Sequence, residues 1–160
     1  MNDPRILHTV PISATDISKI AAVEQRCFQA PWSPTACAAE LSAGGGYVTI
    51  GGPPETIAGY LFYRIVLDEM HIMKVATDHP WRNRRIASRL LEKTVALAGE
   101  KGLRQVCLEV RASNLAAVNL YVKHGFIQSG RRPGYYDNRE DAILMVRKLD
   151  GKRPVRPRPQ

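Results

Sequence analysis

The chain has 160 residues, close to the size of one ordinary domain. Hydrophobic residues make up 44% and charged residues 24%, which is typical of globular proteins and excludes collagen-like and wholly disordered chains. The longest uncharged apolar run, near 57–63, is far shorter than the roughly 18 residues of a membrane-spanning helix. No charged-then-apolar segment opens the sequence, so we expect neither a secretory signal nor a membrane partner.

The three cysteines, Cys27, Cys37 and Cys107, are too few for a disulfide framework. No pair has the Cys-x-x-Cys spacing, and the four histidines show no ligand spacing, so the sequence predicts no metal site. We interpret the cysteines as reduced and mostly buried, which is typical of a cytoplasmic protein.

The net charge of +8 is unevenly distributed. Half of it comes from the last ten residues, where four lysine and arginine residues are interspersed with prolines and no acid is present. This composition predicts a basic, disordered tail over 150–160 after a domain over 1–149. Such a tail has either a solubilising role or a non-specific attraction to RNA or the ribosome surface.

Apolar periodicity predicts a mixed α/β order of elements. The apolar phase changes by one residue after Ile72, which is typical of a β-bulge. Ser113 or Asn114 is a candidate cap for the last helix, and Gly125 is its stop. The predicted elements are strand 8–12, helices 16–28 and 35–41, strands 47–50, 57–66 and 69–77, helix 84–101, strand 104–110, helix 114–124, and strands 126–131 and 142–148.

Four arginines, Arg82, Arg84, Arg85 and Arg89, are concentrated at the start of the helix predicted at 84–101. The helix dipole is positive there, so each exposed cation is unfavourable by about 0.3–1 kcal/mol. A bound anion would offset this repulsion, and the free backbone N–H groups of a helix start can hold one. The pattern indicates either a phosphate site or simply a solvated basic turn.

Glu109 lies in the middle of a predicted strand, and Tyr121 lies on the helix that follows. An acid in a strand is often paired with a neighbour such as Arg111, and a helical tyrosine is often part of the core. Asn114 and Tyr121 are two helical turns apart and share a face. A carboxylate and a phenol beside an anion site can accept and donate a proton, so acid–base chemistry is the alternative interpretation.

Several motifs resemble the GNAT family of N-acetyltransferases. The segment 82–87 follows 75–77 and has the sequence Arg-Asn-Arg-Arg-Ile-Ala. It is similar to the family's acetyl-CoA pyrophosphate motif, Arg/Gln-x-x-Gly-x-Gly/Ala. More specific are the run 108–114 with Leu120-Tyr121, Gly125-Phe126, the segment 28–33, and Tyr135-Tyr136 followed by 139–142. Together these motifs, over about 12–149, resemble the RimI subfamily of ribosomal-protein-alanine N-acetyltransferases.

The resemblance implies a GNAT-like α/β fold, with a central, twisted and mostly antiparallel sheet of about seven strands and about four helices on its two faces. It implies acetyl-CoA as cosubstrate, no metal, and direct attack of an amine on the thioester, with Glu109 as base and Tyr121 as acid. Its implied acceptor is the N-terminal peptide of a small-subunit ribosomal protein, beginning with alanine, and no specific nucleic acid is a partner. The implied acetyl-CoA contacts are Val75, Ala76, Thr77, Asn83, Arg84, Arg85, Ile86, Ala87, Ser88 and Asn114.

Arg85 departs from the family motif, which usually has glycine at this position. Glycine adopts a positive φ cheaply and lets the backbone approach the pyrophosphate. The side chain of Arg85 therefore either obstructs the pyrophosphate or adds a charge that binds it.

Substrate choice is open at this stage. The segments 28–33 and 135–136 resemble regions that form the peptide groove of RimI-like enzymes, or their aromatic residues simply pack against the sheet. Another GNAT acceptor, such as a different protein N terminus, a lysine or a small amine, is an alternative. A basic ribosome- or RNA-binding module with a decayed acetyltransferase site is a second alternative.

Overall fold

The strands and helices follow one another in the order that the apolar pattern predicts. A computed structural model describes residues 7–52 and 54–150, so the predicted tail, apart from Asp150, lies outside the described residues. The elements are β1 (His8–Pro11), α1 (Ile17–Cys27), α2 (Pro34–Ala43), β2 (Gly45–Gly51), β3 (Thr56–Val66), β4 (Glu69–Thr77), α3 (Ile86–Glu100), β5 (Gln105–Arg111), α4 (Leu115–Lys123), β6 (Ile127–Arg132) and β7 (Ala142–Lys148), with single 3-10 turns at Ala14–Asp16 and His79–Trp81.

In the part of the chain that the structure describes, seven strands form one sheet in the order β1-β2-β3-β4-β5-β7-β6. Neighbouring strands pair antiparallel, except for β4 and β5, which run parallel. With its four α-helices, this sheet confirms the predicted mixed α/β, mostly antiparallel architecture. None of the helices described is both long and apolar enough to cross a membrane.

Two apolar cores cover the two faces of the sheet. On one face, α3 and α4 pack against β4 and β5, and the predicted stripe of α3 from Leu90 to Ala98 is buried there. On the other face, α1 and α2 pack over β3, where Tyr60 and Phe62 have no solvent exposure. The alternation of side chains along each strand supplies both cores.

The predicted β-bulge is present in β4. Leu61 pairs with Val75 and Tyr63 pairs with Ile72, so the register shifts by one residue at Met73. Ile72 and Val75 consequently pack in the same core although they are three residues apart, an odd spacing that places residues on opposite faces of a regular strand. The bulge thus explains the change of apolar phase in the sequence.

Two sequence expectations need correction. Helix α3 begins at Ile86 rather than near Arg84, because Arg85 has φ +58° and cannot belong to a right-handed helix. The three cysteines are free as expected, but only Cys37 is buried, whereas Cys27 and Cys107 are half-buried.

Candidate active site

A cleft opens where β4 and β5 separate. Their parallel pairing ends at Ile72 and Leu108, and beyond this point a cavity of about 860 Å³ lies between the strands. A smaller section of about 360 Å³ lies beside the start of α3. Thr77 and Ala87 line both sections, so the two adjoin.

Glu109 and Tyr121, the predicted base and acid, both line this cleft. Glu109 lies on β5 on the face opposite the buried residues Leu108 and Val110, as the alternation predicts, and its side chain is 30% exposed. Tyr121 lies on α4 and packs edge-on against Phe126, with ring centroids 5.9 Å apart. Two separate elements therefore bring a carboxylate and a phenol into one cavity.

Burial controls the chemistry of Tyr121. Removal of the ring from water raises the pKa of Tyr121 to about 12, with a smaller contribution from Tyr136. Tyr121 is among the residues that line the cleft. With its pKa raised, the Tyr121 hydroxyl is protonated at neutral pH.

Arg132 and Tyr135 flank the carboxylate of Glu109. The Arg132 Nη2 atom lies 3.5 Å from Glu109 Oε1, and the Arg132 guanidinium lies 5.5 Å from the centroid of the Tyr135 ring. Glu109, as a hydrogen-bond partner and as a negative charge, raises the pKa of Tyr135 above its ordinary value. The carboxylate thus sits between a cation and a phenol from the segment that joins β6 to β7.

Glu140 fastens that segment to the turn between β5 and α4. The backbone N–H of Ser113 donates to Glu140 Oε1 at 2.7 Å, and Arg111 Nη1 donates to Glu140 Oε2 at 3.3 Å. These bonds, that of Ser113 above all, lower the pKa of Glu140 to about 2. The Arg111 guanidinium also lies 4.0 Å from the centroid of Tyr136, which lines the cleft. Glu140 thereby fixes one aromatic wall of the site.

The structure brings most of the predicted acetyl-CoA residues to the cleft. Asn114 also caps α4, because its Oδ1 accepts from the backbone N–H of Ala117 at 3.2 Å. Arg84 lines neither section, and its guanidinium lies 5.2 Å from the centroid of Trp81. Lining the larger section are Val75, Ala76, Thr77, Ala87 and Asn114, and lining the smaller one are Thr77, Asn83, Arg85, Ile86, Ala87 and Ser88.

The smaller section has the chemistry that a pyrophosphate requires. The first helical hydrogen bond of α3 runs from Arg89 N to Arg85 O, so the backbone N–H groups of 86–88 have no partner within the helix. Arg82 and Arg85 are exposed at the rim of the same section. Free N–H groups, a positive helix end and two guanidinium groups together fit a bound phosphate anion.

A buried ion pair that the sequence pattern did not indicate also forms part of the cleft. Lys74 lines the cavity, with Nζ 2.7 Å from Glu24 Oε2 and 4.0 and 4.3 Å from the ring centroids of Phe28 and Trp32. Glu24 has no solvent exposure and also accepts from the Tyr60 hydroxyl at 2.6 Å. The available signal was that Glu24 falls on the apolar stripe of α1.

The family model described as acetyltransferase (GNAT) family matches residues 17–126. The chain belongs to the GNAT acetyltransferase family. Members of this family use acetyl-CoA, so the chain is an acetyl-CoA-dependent N-acetyltransferase.

Individual GNAT proteins agree with this assignment. The chain is 33% identical to the [ribosomal protein bS18]-alanine N-acetyltransferase of Escherichia coli K12 over 84% of this chain and 93% of that one. It superposes with a TM-score of 0.84 on the crystal structure of the ribosomal-protein-S18-alanine N-acetyltransferase from Escherichia coli, at 27% identity, covering 94% and 100% of the two chains. Arabidopsis thaliana NAA60 in complex with acetyl-CoA shares the fold, with a TM-score of 0.81 at 19% identity over 90% and 100%.

Proposed function

We propose that this enzyme acetylates the N-terminal α-amine of a small-subunit ribosomal protein in the cytoplasm, with alanine as the first residue. The observation that carries the proposal is that Glu109 and Tyr121 line one cleft from two different elements. The Escherichia coli relatives are named for acetylation of an alanine of ribosomal protein bS18, and this supports the proposed acceptor.

Glu109 is the proposed base. An N-terminal ammonium has a pKa of about 7.7–8.0, against about 10.4 for lysine, so its proton is only modestly held at neutral pH. The Glu109 side chain is 30% exposed, which leaves the carboxylate accessible to an amine or to an intervening water. Glu109 accepts the proton that the attacking amine releases, either directly or through such a water.

Tyr121 is the proposed acid, directed at the departing thiolate. A phenol whose pKa is raised to about 12 holds its proton more tightly than a thiol with a pKa of about 8.5. Complete proton transfer to the sulfur is therefore uphill, and the contribution of Tyr121 is a hydrogen bond that stabilises the developing negative charge. The final proton then comes from solvent.

Acetyl-CoA supplies the acetyl thioester when bound. Among the residues that the structure describes, the pairing of β4 with β5 ends at Ile72, so the backbone near Val75 is available to polarise the thioester carbonyl. The N–H groups of 86–88 and the guanidinium of Arg85 are the proposed pyrophosphate contacts. Asn114 lines the larger section together with Glu109 and Tyr121.

The acceptor side of the cleft offers carboxylates to an N-terminal ammonium. Asp137 and Glu140 line it together with Glu109, as do the cations Lys74 and Arg111, which are paired with Glu24 and Glu140. The aromatic walls are Phe28 with Trp32 and Tyr136. Negative charge attracts an N-terminal ammonium, and aromatic side chains provide apolar contacts for the first residues. These are the proposed specificity elements.

Mass spectrometry of ribosomal peptides incubated with acetyl-CoA tests the proposal. The expected product is an alanine-starting peptide acetylated on its α-nitrogen, with no product from the same peptide carrying a blocked N terminus. Acetylation confined to lysine ε-nitrogens would instead establish a different acceptor. If the protein neither turned over acetyl-CoA nor gained thermal stability from it, the ribosome-binding alternative would stand.

A further inference from the structure

Glu69, His71 and Cys107 form a cluster that the proposed reaction does not use. The parallel register places His71 of β4 beside Cys107 of β5, and Glu69 lies two residues before His71 on the same face of the sheet. Glu69 Oε2 is 3.1 Å from His71 Nε2 and 3.8 Å from Cys107 Sγ. All three candidate ligand atoms lie within 4.8 Å of one another.

We propose that this cluster binds a Zn²⁺ ion that links β4 to β5. Zinc prefers tetrahedral nitrogen, oxygen and sulfur ligands with bonds of about 2.0–2.2 Å to nitrogen and oxygen and about 2.3 Å to sulfur. In a tetrahedron these bonds separate nitrogen from oxygen by about 3.4 Å and oxygen from sulfur by about 3.6 Å. The distances between Glu69 and its two neighbours differ from these values by only a few tenths of an ångström. The third pair, His71 Nε2 and Cys107 Sγ, lies within 4.8 Å, against about 3.6 Å in a tetrahedral site, so these two side chains move towards each other when the ion binds.

Two neighbouring residues orient the glutamate for this role. Gln105 Nε2 and Arg104 Nη2 donate to Glu69 Oε1, at 2.7 and 2.6 Å, and leave Oε2 directed at His71 and Cys107. Gln105 Nε2 also lies 3.5 Å from Cys107 Sγ. Hydrogen bonds of this kind to the non-ligating atom orient a metal ligand. A carboxylate and a thiolate together balance the charge of Zn²⁺.

When the metal ion binds, the site releases a proton. Without metal, the Cys107 thiol is positioned to donate to Glu69 Oε2. Binding replaces the S–H bond with a Zn–S bond and releases the proton to solvent, with no change of oxidation state. The three ligands are half-buried, so an ion can enter and water can occupy the fourth position. Sequence spacing did not reveal this site, because its ligands come from two strands joined only by the fold.

Cobalt(II) titration of chelator-treated protein tests the site through its spectrum. We expect one equivalent of Co²⁺ to give the visible bands of tetrahedral cobalt and a thiolate charge-transfer band, both removed by added Zn²⁺. Cys107→Ser should abolish the charge-transfer band. His71→Ala should weaken binding more than about tenfold, because loss of an outer-shell partner alone costs about 10–100-fold. Cys27→Ser is the matched thiol control and should leave the spectrum unchanged. A missing charge-transfer band in the unmodified protein, or its persistence in Cys107→Ser, would overturn the proposal.

Thiol alkylation of the unmodified protein gives a second test that requires no variant. Cys27 and Cys107 are both half-buried, so each serves as the other's reference. Zn²⁺ should slow alkylation of Cys107 and leave the rate at Cys27 unchanged, as measured by mass spectrometry of the two peptides. Equal protection of both cysteines, or of neither, would show that Zn²⁺ does not occupy this cluster.

Discussion

The Lys74 ammonium lies 2.7 Å from the Glu24 carboxylate, which is completely buried. Lys74 follows the bulge of β4, which turns its side chain to the face covered by α1. The same carboxylate accepts the backbone N–H of Trp32 at 2.9 Å. One buried charge pair therefore connects β4 to the segment between α1 and α2, and so determines the position of two walls of the cleft.

Removal of one member of this pair should be costly. Lys74→Met leaves the Glu24 carboxylate buried without its cation, for which we expect a loss of about 3–5 kcal/mol in the free energy of unfolding. The double variant Glu24→Gln, Lys74→Met should recover part of that loss. Denaturant unfolding of the two single variants and the double variant measures the coupling. If Lys74→Met lowered the free energy of unfolding by less than about 1 kcal/mol, the pair would contribute no more than an exposed salt bridge.

Glu109→Gln should lower kcat by roughly 10²–10⁴-fold near neutral pH if Glu109 is the base. The deficit should shrink at high pH, where the amine arrives without its extra proton. Because Glu109 is partly exposed, folding should be unaffected. Glu92→Gln, at an exposed position on α3, is the control. An equal deficit at every pH, together with a lower melting temperature, would assign Glu109 a structural role.

Tyr121→Phe should slow acetyl transfer by about 10- to 150-fold, the value of one hydrogen bond to a developing charge. Stability should change little, because the ring keeps its contact with Phe126. A thioester with a more acidic leaving thiol should recover part of the rate. Since the pKa of Tyr121 is raised to about 12, its ionisation should not limit the wild-type rate below about pH 11. Identical rates for the variant and the wild type with both thioesters would exclude the donor role.

Arg85→Gly should change stability and affinity in opposite directions. The left-handed backbone at φ +58° costs a non-glycine residue about 1–2 kcal/mol. Glycine should therefore raise the free energy of unfolding by about that amount, minus the extra conformational entropy that glycine loses on folding. Loss of the guanidinium should weaken acetyl-CoA binding several-fold, and the loss should diminish as salt screens the charge. Calorimetric titration at two salt concentrations, with Arg84→Gln as the control, is the measurement. Tighter binding by Arg85→Gly would show that the side chain obstructs the pyrophosphate.

Glu140→Gln should release the aromatic wall that carries Tyr136. We expect a several-fold increase in KM for the peptide with little change in kcat. Because the pKa of Glu140 is lowered to about 2, its stabilising contribution is complete above its ordinary pKa of 4.5 and is lost as pH falls towards 2. The difference in melting temperature between wild type and variant should therefore narrow with acidification. If the difference in melting temperature stayed constant from pH 7 to pH 3, the Glu140 carboxylate would not be the source of the stabilisation.

Local pattern predicted the order of the helices and strands, whereas the mostly antiparallel sheet was implied by the family resemblance, and the pattern reached only part of the site. The strands 69–77 and 142–148 have the predicted bounds, and the bulge follows from a change in apolar phase, because each depends on neighbouring residues alone. The roles of Glu109 and Tyr121 came from resemblance and stay predictions. Contacts such as Lys74 with Glu24 join residues 50 positions apart, and no local pattern specifies which strand faces which helix.

The bulge at Met73 determines which changes of length this segment can accept. Met73 is the one residue that the register with β3 skips, because Ile72 pairs with Tyr63 and Lys74 pairs with Phe62. Without Met73, regular alternation along the strand would leave Ile72 and Val75 in one core and Lys74 on the opposite face, where they already lie. Deletion of Met73 would therefore remove the local bend and added twist of the bulge without moving any side chain to the other face. Related enzymes that lack the bulge should consequently be one residue shorter between Glu69 and Thr77.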